Sequence, residues 1–396
     1  MGPGSEVTEP VAMPFGPDVP TDIPEDITEG KAERPNWLGI TRDTDAFKDI
    51  EDGLNQLQKE TGLKLGFAYT MLFQQASAGP GNRSAAAGDI DILANWQLIG
   101  RDTENVGELN ASFEYRFQIG SQVPASLGPT IGTLIPTTNG FSERPPIVKE
   151  LYWNQRLFDG ALRLVAGRID PENYVGAQRM QSANTFFLNK AFSSNPAIAY
   201  PNIGLGAGGA VLPNDWLYIS GGVTDANAKT TQTGFNTAFD TGQVFSFVEV
   251  GVLTDIPDLG KGRQRLAVWN IDARPQAGKP SDQGASLTLD QDFGQDFTAF
   301  IRLAHSKGTV TNVEWLAEGG IGLKGVIGND GDFTGLGLAY AQPPAGRAET
   351  IVEFFHRFQL APRTQFTLGI QGIFNPSNAP QDSALAVFEA RLRFTF

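Results

Sequence analysis

Apolar and polar residues alternate along most of this chain. In 107–118, Leu109, Ala111, Phe113, Tyr115 and Phe117 share one face, and Glu108, Asn110, Ser112, Glu114, Arg116 and Gln118 share the other. Segment 88–98 repeats the pattern, with Ile90, Ile92, Ala94, Trp96 and Leu98 opposite Asp89, Asp91, Asn95 and Gln97. Segments 349–360 and 364–374 do the same. A period of two is the spacing of a strand with one apolar and one wet face. Counted from residue 62, the pattern predicts about sixteen strands. They are 63–73, 88–98, 107–118, 148–157, 161–169, 203–212, 215–223, 243–253, 263–272, 284–291, 297–305, 313–324, 333–341, 349–360, 364–374 and 384–396. The Gly-rich pair 203–212 and 313–324 carries the weakest pattern.

A soluble β-sandwich alternates too, but three features point elsewhere. The strands approach the roughly 9–11 residues that a tilted strand needs to cross a bilayer. Their polar faces carry charge at mid-strand. Short and long connections alternate through the first two-thirds of the chain, as in an outer-membrane barrel. The end, ALAVFEARLRFTF (384–396), is amphipathic with a terminal Phe, like the last strand of bacterial outer-membrane proteins. The expected fold is all-β, a transmembrane antiparallel β-barrel over 62–396 with a short N-terminal helix. Trp96, Trp216, Phe297, Phe358, Phe366, Phe394 and Phe396 would then ring the short-turn side as an aromatic girdle.

Ahead of the barrel, Phe47, Ile50, Leu54 and Leu57 have helical spacing, with Thr44 or Asp45 as N-cap. Residues 37–61 are expected to hold this helix as a plug or periplasmic decoration. Residues 1–36 are Pro-, Gly- and acid-rich without periodicity and are expected to be loosely ordered. Gly2-Pro3-Gly4-Ser5 has the look of a cloning remnant, and no basic region followed by an apolar run marks a signal peptide.

Composition alone suggests a soluble protein, with 40% hydrophobic residues and a mean hydropathy of −0.20. No apolar run is long enough for a membrane helix, but a barrel spreads its hydrophobicity over alternate residues. The net charge of −14 argues against nucleic acid. With no cysteine and only His305 and His356, cysteine or multi-histidine metal centres are excluded, and no cofactor is expected. GxSxG, Walker, HExxH and EF-hand patterns are absent from the sequence. Asp89 and Asp91 could be proposed as an acid–base pair, yet a wet wall accounts for them better, so an enzyme is not expected.

A sixteen-stranded barrel is too wide for side chains to fill. The longest connection, 170–202, is the candidate for narrowing it, with an extracellular lid as the alternative. Its charges after Asp170 are Glu172, Arg179 and Lys190; otherwise it offers amides, hydroxyls and rings such as Phe187 and Asn189. These groups suit sugars. Inward parity nominates Glu114, Arg116, Tyr152, Arg163, Arg302, Glu353, Arg357, Glu389, Arg391 and Arg393 for the solute path. Arginine suits hydroxyls because its fork offers several donors. Parity counted from Leu162, Leu164 and Ala166 sends Arg168 toward lipid, unless Gly167 hosts a bulge.

The run LYWNQRLFDGALRLVAGRIDPENY (151–174), TFFLNKAF (185–192), Tyr200-Pro201 and YISGGVTDAN (218–227) resembles the carbohydrate-selective porins of the OprB type. Tyr152, Gln155, Gly167, Arg168, Phe187, Asn189, Phe192, Asp225 and Ala226 stand at matching places. The resemblance spans roughly 37–396 and is strongest at 148–227. It implies an outer-membrane channel passing glucose and other small carbohydrates by facilitated diffusion, without covalent chemistry, and favours a role for Arg168. Expected partners are small carbohydrates and the lipid or lipopolysaccharide of a bacterial outer membrane. A homotrimer and a monomer are both open. The alternatives are a porin for small organic acids or cations, and a β-sandwich adhesion or binding protein.

Overall fold

The computed structural model describes residues 23–101, 103–257 and 259–396. The expectations for residues 1–22, including the cloning remnant, lie outside the described residues. The first eight strands are β1 (Leu63–Ala76), β2 (Ser84–Ile99), β3 (Gly107–Gln118), β4 (Arg144–Leu157), β5 (Leu162–Ile169), β6 (Gly204–Asn214), β7 (Leu217–Asp225) and β8 (Val244–Ile256). They continue as β9 (Gly260–Ile271), β10 (Asp282–Phe293), β11 (Phe297–Ser306), β12 (Trp315–Lys324), β13 (Phe333–Gln342), β14 (Glu349–Ala361), β15 (Thr364–Phe374) and β16 (Ala384–Thr395). Each pairs antiparallel with its chain neighbours, and β1 closes on β16 from Ala68↔Thr395 to Ala76↔Val387. Closure leaves no sheet edge, which a bilayer requires.

Side chains sort by parity. Ile92, Phe113, Leu151, Leu164, Val248, Leu266, Ile301, Leu338 and Phe388 are exposed on the outer face. Asp89, Asn110, Glu114, Glu249, Ser286, Arg302, Glu353 and Arg391 are buried on the inner face. One rim carries tight turns such as 158–161, 215–216 and 362–363; the other carries 119–143, 170–203 and 226–243. In outer-membrane barrels the tight-turn rim is the periplasmic one. The two weakly patterned strands form as β6 and β12. In β4 the pairing with β3 shifts between Ser112 and Phe113 and between Glu114 and Arg116. These bulges carry the strand back to Arg144, beyond the expected start at 148, and break its alternation.

Trp96 and Trp216 stand exposed at the periplasmic rim. Phe358 stacks near Phe366 with centroids 6.4 Å apart, and Phe394 and Phe396 meet Phe47 edge-on at 5.5 and 5.9 Å. The N-terminal segment thus covers part of the aromatic ring. A 3-10 turn at Arg42–Thr44 precedes α2 (Lys48–Thr61), so the helix starts later than its periodicity predicts and presents no buried side chain. Arg363 ties it to the barrel through Asp45 (2.6 Å) and Glu51.

The expectation of loose order across 1–36 does not hold at residues 23–31. Ile23–Lys31 form α1, and Ile23 and Ile27 are buried with Leu93, Tyr152 and Val165 of the inner wall. The sequence shows no helical stripe here, since two isoleucines four residues apart are too few to make one. Among the described residues, three further helices lie in the long loops: α3 (Pro124–Ile131), α4 (Lys190–Ser193) and α5 (Phe235–Thr241).

Candidate functional site

The connection from β5 to β6, residues 170–203, folds into the lumen. Its aromatic centre is dry: Phe187 packs against Phe192, Phe300 and Phe355 with centroids 5.0, 6.0 and 5.0 Å apart. A backbone in that position needs partners for its N–H and C=O groups, and charged wall side chains supply them. Glu353 accepts from the backbone N–H of Leu188 (2.6 Å) and Asn189 (2.9 Å). Arg302 donates to the carbonyls of Gly176 (2.8 Å) and Phe192 (3.4 Å), while Glu318 receives its Nε (2.7 Å). Arg391 donates to Ala183 (2.6 Å) and Phe186 (2.9 Å). Arg357 donates to Thr185 (3.0 Å) and lies 5.3 Å from the Phe186 ring centroid. On the opposite wall Glu249 accepts from Gly176 N–H (3.1 Å). Asn189 caps α4 through Ala191 N–H (3.0 Å) and donates to Gln371 (2.8 Å).

A second connection, 119–143, also turns inward. Glu349 accepts from the N–H groups of Leu134 (2.7 Å) and Ile135 (3.1 Å). The Thr137 carbonyl receives Gln74 (3.2 Å) and Gln371 (2.8 Å), and Gln371 also donates to Glu389 (2.8 Å). Sequence reading assigned no lumen role to this loop, whose small and apolar residues carry no strong signal.

Between the two loops and the β3–β4 wall lies a cavity of about 300 Å³. Arg116, Arg144, Lys149 and Lys190 line it with Asp170 and Glu172, and Asn139, Gln181, Ser182, Asn184 and Asn202 are among the other lining residues. Glu114 lies beneath the basic group. It pairs with Arg116 (2.9 Å), with Arg144 and with Lys149 (3.6 Å), and Arg116 also meets Asp89 at 2.9 Å. Asp89, Asp91 and Glu114 bring carboxylate oxygens together, and the three cations pair with Asp89 and Glu114 of this group. Lys149 and Arg144 were not legible beforehand. Lys149 has no partner in the ladder with β3, where Ser112 pairs Glu150 and Phe113 pairs Val148, and the extra residue turns to the lumen.

The nominated residues therefore divide. Arg116 and Lys190 face the cavity. Glu353, Arg302, Arg357, Arg391, Phe187 and Asn189 are occupied in holding the loop. Arg179 pairs with Asp292 near the periplasmic end of β10. Arg163 donates to Asn154 (2.7 Å), Tyr152 is buried in the inner-wall cluster, and Arg393 donates to Thr70 (3.0 Å) beside α1. Arg168 is a correction. The β4–β5 register runs unbroken through Leu151↔Arg168, so Gly167 makes no bulge and Arg168 shares the outward face of Leu151. There it donates to the carbonyls of Val148 (3.2 Å), Lys149 (2.9 Å), Thr230 and Gln232, clamping loop 226–243 to the outer wall.

Glu353→Ala removes two charge-assisted hydrogen bonds of about 1.5–3 kcal/mol each and strands two buried N–H groups. We expect loop 170–203 to become cleavable by protease in detergent and single-channel conductance to rise, with the heat-modifiable gel shift of the barrel retained. Unchanged conductance and protection would contradict the pinning role.

A model of the family described as carbohydrate-selective porin, OprB family, matches residues 94–276 and 255–396. Among solved structures, the high-pH form of Pseudomonas putida OprB is similar over 92% of this chain and 99% of that one, with a TM-score of 0.74 and 14% identity. Its low-pH form gives 0.53 over 89% and 98%, with 12% identity. A mutant Rh. blastica porin gives 0.50 over 84% and 100%, with 9% identity. At these identities the likeness is one of fold. No curated protein matches the sequence. The closed sixteen-strand barrel, the inward loop and the family match over most of the chain agree: this chain belongs to the OprB family of carbohydrate-selective porins.

Proposed function

We propose that the chain passes glucose and other small carbohydrates across the bacterial outer membrane by passive diffusion, with loop 170–203 setting the size limit. The observation that carries this reading is the lining of the 300 Å³ cavity. A sugar hydroxyl both donates and accepts. Arg116, Arg144, Lys149 and Lys190 offer fixed donors there, Asp170 and Glu172 acceptors, and the amides of Asn139, Gln181, Asn184 and Asn202 offer both. The mixed signs keep the path from rejecting either ion type outright. The four cations against two acids favour small organic acids as the second reading. The channel family and fold fit a transporter that performs no chemistry on its solute.

Liposome-swelling rates decide between the readings. Glucose is expected to enter faster than an anion of similar size, and a disaccharide more slowly than glucose. Equal rates for glucose and the anion would overturn the sugar preference.

Asp170 adds a pH dependence. Burial and the neighbouring Glu172 push its carboxyl up to about 6. It is neutral below that value and gains its charge as pH rises through it. Anion flux relative to glucose is therefore expected to fall between about pH 5 and 7, and Asp170→Asn is expected to flatten that profile.

A further inference from the structure

We propose that α1 forms a second narrowing of the pore at its periplasmic outlet, as a fixed part of the open channel. The helix lies inside the barrel, against the inner wall of β1 and β2. Ile23 and Ile27 are 1% and 2% exposed. The wall has a seat for it: a methyl group placed on Gly66 would come within 2.8 Å of Ile27 Cγ1. Lys64 donates to Thr28 (2.6 Å). At the rim the Gly30 carbonyl accepts from Thr395 Oγ1 (3.1 Å) and from Arg42. A helix attached by chance would not find an apolar seat, a side-chain tie and a carbonyl clamp together.

The position matters for transport because α1 meets the constriction loop. Gly30 and, just beyond the helix, Arg34 line a crevice of about 10 Å³ together with Thr185 of that loop, Gln365, Arg393 and Thr395. That is room for about one water molecule. Solute leaving the cavity is therefore directed to the side of the lumen away from β1 and β2. The outlet on that side is bounded by α1, so the helix contributes to the size limit independently of loop 170–203. This inference concerns the width of the pore and does not depend on which solute it prefers.

The test uses a chain free of native cysteine. A Cβ at Gly30 would stand 3.3 Å from Thr395 Cβ, close to disulfide geometry, so Gly30→Cys with Thr395→Cys can lock the helix in place. Ile23→Asp with Ile27→Asp unseats it. In planar bilayers the oxidised lock is expected to conduct like the native chain, and the unseated variant to conduct at least about twofold more and to admit larger sugars. Heat-modifiable migration confirms that each barrel is folded. Unchanged conductance and size limit in the unseated variant would overturn the proposal. So would a lock that shuts the channel, since the conducting state would then hold α1 elsewhere. The glucose-to-anion ratio, read on the same vesicles, reports separately on solute preference.

Discussion

A loop drawn into the middle of a barrel carries backbone donors and acceptors away from bulk water, and each one left unanswered costs about 1–3 kcal/mol. The inner wall of this protein is organised around that requirement. Glu353 answers two N–H groups, Glu249 one more, and Arg302, Arg357 and Arg391 answer five carbonyls between them. Charged groups suit this task because their hydrogen bonds are shorter and stronger than neutral ones. The loop in turn brings Phe187 and Phe192 against Phe300 and Phe355, a dry patch inside an otherwise polar lumen. Polar clamps fix its position and aromatic packing fixes its shape.

What remains open is defined by what these contacts leave out. Lining the cavity above the loop are Arg116, Arg144, Lys149 and Lys190, and the first three also neutralise Glu114. Cations held by a buried carboxylate keep their orientation, so in the proposed function they would present donors to solute without swinging across the path. The outer wall uses the same chemistry for a different purpose. Arg168 gathers four carbonyls and fastens loop 226–243 outside the barrel. Guanidinium groups thus serve as backbone clamps on both faces.

The barrel itself was legible because parity is a property of sequence. Leu109 to Phe117 and Phe388 to Phe396 alternate strictly, and their strands and their inward charges lie where alternation puts them. Parity reports direction and not contact, so it could not distinguish Arg116, which faces the cavity, from Arg391, which holds a loop carbonyl. It failed for Lys149, because a bulge in β4 adds a residue that alternation does not count. For Arg168 it pointed outward, correctly, while family resemblance favoured the solute path. Helix α1 escaped notice because two isoleucines among acids and prolines form no stripe; their partners, Gly66 and Leu93, are distant in sequence and become neighbours only when β1 and β2 pair.

The central claim, that loop 170–203 forms the solute constriction from inside the lumen, is tested most directly by cysteine accessibility, since engineered cysteines are the only thiols. Asn184→Cys, in the cavity lining, should react with a small charged thiol reagent, lower the single-channel current when modified, and be protected by glucose. Phe187→Cys, in the aromatic centre, should stay unreactive in the folded barrel. Modification of Asn184→Cys that leaves the current unchanged would show that solute and ions pass elsewhere, and would contradict the account.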